Sequence, residues 1–174
     1  LYQWLKEFGF TAWDDIYDLV DGQSGKQVFA ADFRVLKDRD VLIVCPIAPA
    51  ESIEEFYIYE NQSEVNIPLK LSISKVADIL IDSNTAIFVD ADKLFFPLVI
   101  RRWKTGDVFM PFGMGGRSKK VSKLFKDEKL SLIEKENTWI LCSGKQIVWV
   151  IGIRADNRFR TADTTKNILK IELI

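Results

Sequence analysis

Histidine is absent from all 174 residues. Without an imidazole the chain cannot build Ser-His-Asp or Cys-His catalysis, and most zinc and transition-metal sites are excluded within it. Carboxylate and lysine chemistry stay open. Cysteine is nearly as scarce: Cys45 and Cys142 stand alone, with no paired spacing for a zinc site or a thioredoxin-type dithiol. They read as small buried apolar residues of a reducing compartment. Long apolar runs are missing too. The longest, Ile147 to Ile153 broken by Gly152, is far too short to cross a bilayer. No signal or transit pattern opens the chain, and there is no internal repeat or low-complexity segment.

What is there is ordinary in bulk and uneven in detail. Hydrophobic content of 48% with 28% charged residues suits a globular protein with one good core, or one domain plus a fragment of another. The net charge of −1 hides a separation: residues 101–129 carry nine Lys or Arg against three Asp or Glu, whereas residues 38–95 carry four against eleven. Such separation makes an oriented electrostatic surface without naming its partner. Within the basic stretch Gly113, Gly115 and Gly116 lead to Ser118, a good N-cap for a helix over Lys119 to Glu128. Val121, Leu124 and Phe125 fall at i, i+3 and i+4 and make one apolar stripe, with Lys119, Lys123 and Lys126 opposite. Two lysines in a first helical turn oppose the macrodipole, which a phosphate seated there would explain. The competing reading is a solvated lysine face.

Along the chain, Leu1, Trp4, Leu5 and Phe8 recur at helical spacing before Gly9. Thr11 is placed to cap a second helix with Trp13, Ile16, Tyr17 and Val20 as its stripe. Either the sheet that follows covers these helices, or they are the stump of a helical domain. The chain opens on Leu1 in the middle of an amphipathic pattern, which suggests an excised piece of a larger protein. The run Gly22 to Gln27 fails as a nucleotide-binding loop, because its glycine spacing is too short and Gln27 replaces the metal-binding hydroxyl.

Strands are predicted at Gln27 to Leu36 and Val41 to Cys45, joined as a hairpin and stopped by Pro46 and Pro49. Further strands fall at Phe56 to Tyr59 and at residues 65–74, whose alternation is the cleanest in the chain although Pro68 demotes it to an edge or bulge. Ile87 to Val89 and Leu94 to Ile100 flank Asp90-Ala91-Asp92-Lys93. That pair of aspartates is a candidate magnesium or general-base site, but a hairpin turn explains it better, since no third carboxylate arrives at useful spacing. Trp139 to Cys142 and Gln146 to Ile151 make a hairpin, and Ile168 to Leu173 closes the chain as a strand. Many strands, few helices and no regular alternation predict an α+β fold with a mixed or largely antiparallel sheet, preceded by a short helical segment.

One ordered series of residues resembles a known family. Pro97-Leu98, Arg101-Arg102, Gly106-Asp107, Pro111, Gly113-Met114, Lys119-Lys120, Phe125, Asp127 and Lys129 continue through Ile147-Val148-Trp149-Val150, Gly152, Arg154, Asp156, Arg158-Phe159 and Thr165. This resembles the C-terminal region of bacterial tRNA(Ile)-lysidine synthetase, also called MesJ-like, over residues 95–174. Residues 24–94 resemble the more variable leading part of that region, and residues 1–22 the end of the family's helical middle domain. The implied organisation is a helical remnant at 1–22 and a tRNA-binding region at 23–174.

The resemblance implies a cytoplasmic RNA-modifying ligase that spends ATP, with magnesium, to adenylate the wobble cytidine of an isoleucine tRNA before lysine displaces AMP. The family's N-terminal catalytic domain carries a Ser-Gly-Gly-x-Asp-Ser loop that this chain lacks. The implied task of this region is therefore to grip the tRNA at its acceptor stem, with no catalytic residue or cofactor of its own. The implied partners are the tRNA and the catalytic domain, with no membrane. A stem hides its bases in a deep, narrow groove, so it is held mainly through phosphates and 2′-hydroxyls. Arg101, Arg102, Arg117, Lys119, Lys120, Lys123 and Arg154 are the candidate contacts. Arg101 and Arg102 are successive strand residues and point to opposite faces, so one of them is a structural candidate. Arg154 with Asp156 can equally be a salt-bridged turn, and Asp107 reads as a turn or cap residue. The rival function is a structural or oligomerisation module, a homodimer built on the sheet or the Trp-rich helices. A small enzyme using Asp90, Asp92, Asp107 and Asp156 is the weakest alternative.

Overall fold

The computed structural model describes residues 1–47, 54–78 and 83–174. Its chain divides into two units, Leu1–Ser52 with Ser131–Glu134, and Ile53–Leu130 with Lys135–Ile174.

In the first unit α1 (Tyr2–Leu5) runs into a 3-10 turn, Lys6–Phe8, that ends where Gly9 takes a left-handed conformation. Helix α2 (Trp13–Val20) follows, then the antiparallel strands β1 (Gln27–Phe29), β2 (Phe33–Asp38) and β3 (Val41–Pro46). Leu5, Phe10, Ile16 and Leu19 pack with Val35 of β2, flanked by Val28, Phe33, Leu42 and Val44. The strands that follow therefore pack against the helices. Several local expectations are corrected. Ala12, with no side-chain bond, caps α2 in place of Thr11. The buried stripe runs through Ile16 and Leu19, while Tyr17, Val20 and Trp4 (79% exposed) face outward. The predicted strand from Gln27 to Leu36 is two strands, because the chain turns at residues 30–32. The expected stop at Pro49 lies outside the described residues.

The second unit is layered. One sheet has the order β13-β12-β11-β8-β4, with β4 (Glu55–Ile58), β8 (Leu98–Arg102), β11 (Trp139–Ser143), β12 (Gln146–Val150) and β13 (Arg154–Ala155). The other has the order β5-β6-β14-β7, with β5 (Glu64–Val65), β6 (Leu71–Val76), β7 (Ala86–Asp90) and β14 (Ile168–Leu173). A two-stranded ribbon joins β9 (Val108–Phe109) to β10 (Lys119–Lys120), followed by α3 (Val121–Asp127); α4 (Leu132–Asn137) comes next in the chain and begins in the residues that belong to the first unit. Each strand pairing among the described residues is antiparallel, within the predicted α+β fold with a mixed or largely antiparallel sheet.

Side-chain alternation puts Leu98, Ile100 and Leu141 on the face shared with Leu71, Ile87, Leu169 and Ile171 of the four-stranded sheet. Ile140, Cys142, Ile147 and Val150 take the other face, against Val121, Leu124 and Phe125 of α3. Covered on both sides, β11 is buried at every position. Burial also pushes the Cys142 thiol up to about 11, which keeps it protonated and unreactive at neutral pH, whereas Cys45 is only half-buried.

Two further predictions fail for long-range reasons. Residues 65–74 are not one strand: the chain folds back between β5 and β6, leaving Ile67 66% exposed, at Pro68, which has no N–H to give a ladder. Asp90 to Lys93 is not a hairpin turn, because β7 and β8 lie in different sheets. Asp90 instead caps a 3-10 turn by accepting from the Asp92 N–H at 3.2 Å, and it also accepts from the Thr165 hydroxyl at 3.1 Å. Among the described residues no group of three or more carboxylate or cysteine side chains is placed to hold a metal.

Candidate nucleic-acid interface

The basic stretch begins at the end of β8, where strand alternation sends Arg101 and Arg102 to opposite faces. Arg101 lies on the α3 side and makes a two-pronged pair with Asp107, Nη2 to Oδ1 at 2.8 Å and Nη1 to Oδ2 at 3.0 Å. Asp107 also accepts the Lys104 N–H at 2.6 Å, so it closes the turn as well as anchoring the arginine. Burial opposes ionisation of Asp107, but the Arg101 hydrogen bonds, the Lys104 N–H and both positive charges outweigh it and hold the carboxyl below its ordinary range. On the other face the Arg102 guanidinium lies 3.8 Å from the centre of the Trp139 ring. Both arginines are thus built into the fold.

From Asp107 the chain passes through β9 and a loop in which Gly113, Gly115 and Gly116 all take positive φ, a conformation that side chains resist. The predicted helix over Lys119 to Glu128 starts late. Lys119 and Lys120 pair with Phe109 and Val108 as β10, and Lys120 takes the cap position without a side-chain bond, so Ser118 is not the cap. The helical stripe is as predicted, with Val121, Leu124 and Phe125 buried. Trp103 meets Phe125 edge-on at 4.9 Å while its Nε1 donates to the Lys135 carbonyl at 2.6 Å, which fixes the base of α3.

The lysines then divide. Lys119 is only 13% exposed and its Nζ sits 2.7 Å from Asp127. That hydrogen bond, then the charges of Lys119, Lys123 and Lys126, hold the Asp127 carboxyl below its ordinary range. Lys120, Lys123 and Arg117 are exposed. Arg154 does not pair with Asp156. It reaches Glu128 at the end of α3, at 3.3 Å and with both side chains about two-fifths exposed. Asp156 is buried, takes the Met110 N–H at 2.8 Å and binds Arg158 twice. The structure therefore leaves Arg117, Lys120, Lys123 and Arg154 exposed and gives Arg101, Arg102 and Lys119 partners within the fold.

Phe112 and Arg160 carried no signal in the sequence. The Arg160 guanidinium stands 4.6 Å over the Phe112 ring, and the backbone bridge from Pro111 to Asp156 brings the two segments together. The alternating run Arg154, Asp156, Arg158, Arg160 marks the segment as charged without revealing which arginine faces an aromatic ring.

The model described as the TilS substrate binding domain matches residues 1–47, and that described as the TilS substrate C-terminal domain matches residues 98–173. The chain is 44% identical, over its whole length, to the tRNA(Ile)-lysidine synthase of Parabacteroides distasonis, of which it covers 41%. It is 37% identical, again over its whole length, to that of Bacteroides thetaiotaomicron, of which it covers 39%. It thus spans about two-fifths of these relatives. A crystal structure of a TILS C-terminal domain superposes with a TM-score of 0.56 at 19% identity, over 70% of this chain and 98% of that one, which supports the fold. Two family models along one chain and relatives matched end to end agree with the motif series between Pro97 and Thr165, and the chain belongs to the tRNA(Ile)-lysidine synthetase family, in its C-terminal region.

Proposed function

We propose that this chain is the tRNA-gripping part of a cytoplasmic tRNA(Ile)-lysidine synthetase. It holds the acceptor stem of an isoleucine tRNA by its phosphates, and a separate N-terminal catalytic domain uses ATP and lysine to modify the wobble cytidine. The observation that carries this reading is the exposed group Arg117, Lys120 and Lys123, none ion-paired among the described residues, beside a set of cations that are tied into the fold. Exposed cations on a fixed element suit an A-form stem, whose phosphates position a protein without sequence information. Arg101 and Lys119, held by Asp107 and Asp127, support the segment that carries the patch.

The test is a salt titration of tRNA binding by the full-length protein and its Arg117→Ala/Lys120→Ala/Lys123→Ala variant. Each neutralised phosphate contributes about 0.7 to 0.9 to the slope of log affinity against log salt, so the variant slope should be flatter by about 2 to 3. Thermal melts should move little, since exposed substitutions usually stay within about 0.5 kcal/mol. Parallel salt slopes would sink the reading.

A further inference from the structure

Two cavities of the second unit, about 140 Å³ and about 300 Å³, share Ile87, Phe112 and Ala155 as lining residues and so adjoin. The wall on one side is β7, an edge strand of its sheet, and on the other β13, also an edge strand. Antiparallel bridges from Val89 to Arg160 and from Pro111 to Asp156 hold the loops that close the groove. The Phe112 ring is half-buried, with the Arg160 guanidinium over it, and Arg154 stands at the smaller cavity. Asp156 is already committed to Arg158 and the Met110 N–H. Thr161 and Asp163 add a hydroxyl and a carboxylate at the larger cavity. Trp149 lines the smaller one.

An aromatic wall with a stacked guanidinium, apolar sides and a second arginine matches flat rings joined by anionic links. That is the chemistry of unpaired nucleotides: base faces stack on aromatic rings and arginine planes while cations follow the backbone. A duplex cannot enter, because its bases are already stacked and paired. We propose that this groove takes the unpaired 3′-terminal nucleotides of the tRNA, with a base against Phe112 and Arg160 and a phosphate at Arg154. The inference rests on the tRNA-gripping reading, since the unpaired end continues from the stem held near α3. Asp163 and Thr161 can then meet base amino groups or sugar hydroxyls.

The experiment compares intact tRNA with tRNA trimmed back to its last base pair, both binding the full-length protein. Trimming should weaken binding about tenfold, the size of one well-stacked base. Phe112→Ala, Phe112→Leu and Arg160→Gln should each weaken binding of intact tRNA and leave trimmed tRNA unchanged. The leucine variant keeps the apolar wall and removes the flat ring, which separates lost stacking from lost folding. Equal binding of the two RNAs by the native protein would overturn the groove assignment, as would variants that weaken both RNAs alike. If the Arg117/Lys120/Lys123 variant flattens the salt slope while trimming does nothing, only the groove assignment falls. An unchanged salt slope removes the tRNA-gripping reading and this inference with it.

Discussion

The two ends of the basic stretch look alike in sequence and behave differently in the fold. At the β8 end, Arg101 and Arg102 are tied to Asp107 and to the face of Trp139. At the α3 end, Arg117, Lys120 and Lys123 are exposed, while Lys119 between them is held by Asp127. A count of charges cannot separate these groups, because the separation depends on which carboxylate or ring the fold brings alongside. Supporting cations are costly to remove and exposed ones are cheap, so stability and binding measurements should sort them in opposite orders.

The largest break removes the seat of α3. Phe125 is fully buried and meets Trp103 edge-on, so Phe125→Ala should cost about 3 to 5 kcal/mol in urea unfolding. It should weaken RNA binding only as far as the helix is displaced. A loss below about 0.5 kcal/mol would mean that the stripe does not seat the helix and that the two ends share no common scaffold.

A smaller break separates the supporting end. Asp107→Asn leaves the Arg101 guanidinium, only 18% exposed, without its counter-charge, and should cost about 2 to 3 kcal/mol. The pH dependence has a fixed sign. The folded carboxyl is held below its ordinary value of 3.8, so its stabilisation is complete above that value and is lost as the pH falls through the folded pKa. Unfolding measured from about pH 6 to about pH 2 should show the native protein and the variant converging at the acid end. Curves that stay parallel would show that the Arg101 pair does not hold the turn.

The same contrast explains what was legible in the sequence. Val121, Leu124 and Phe125 were readable because helical spacing is local, and Ile168 to Leu173 because strand alternation is local. The clean alternation over residues 65–74 misled, since period two persists through a fold-back that Pro68 only hints at. The family motif pointed to the right fold and to a mixture of roles. Asp107, Asp156 and Thr165 hold turns and loops together, so much of what makes the series recognisable maintains the scaffold. For Arg101, Arg102 and Lys119 the sequence did not show the partners that the fold supplies: Asp107 lies beyond a turn, Asp127 at the far end of a helix, and Trp139 on another strand.

The finest distinction falls on Arg154, which belongs to neither end by sequence. Its partner Glu128 lies at 3.3 Å, and both side chains are about two-fifths exposed, so solvent screens the pair and its contribution should be under about 0.5 kcal/mol. Arg154 also lines the groove beside Phe112 and Ala155. Glu128→Gln therefore tests whether Arg154 acts as support or as contact. Freed from the carboxylate, a contact arginine should strengthen tRNA binding a few-fold, and the salt slope should steepen by at most about one phosphate equivalent. Thermal melts should barely shift. A melt that falls by more than about 1 kcal/mol would place Arg154 with Arg101 and Lys119 as a structural cation, because exposed pairs rarely contribute that much. Unchanged affinity with an unchanged melt would remove Arg154 from the interface and confine the contact to Arg117, Lys120 and Lys123.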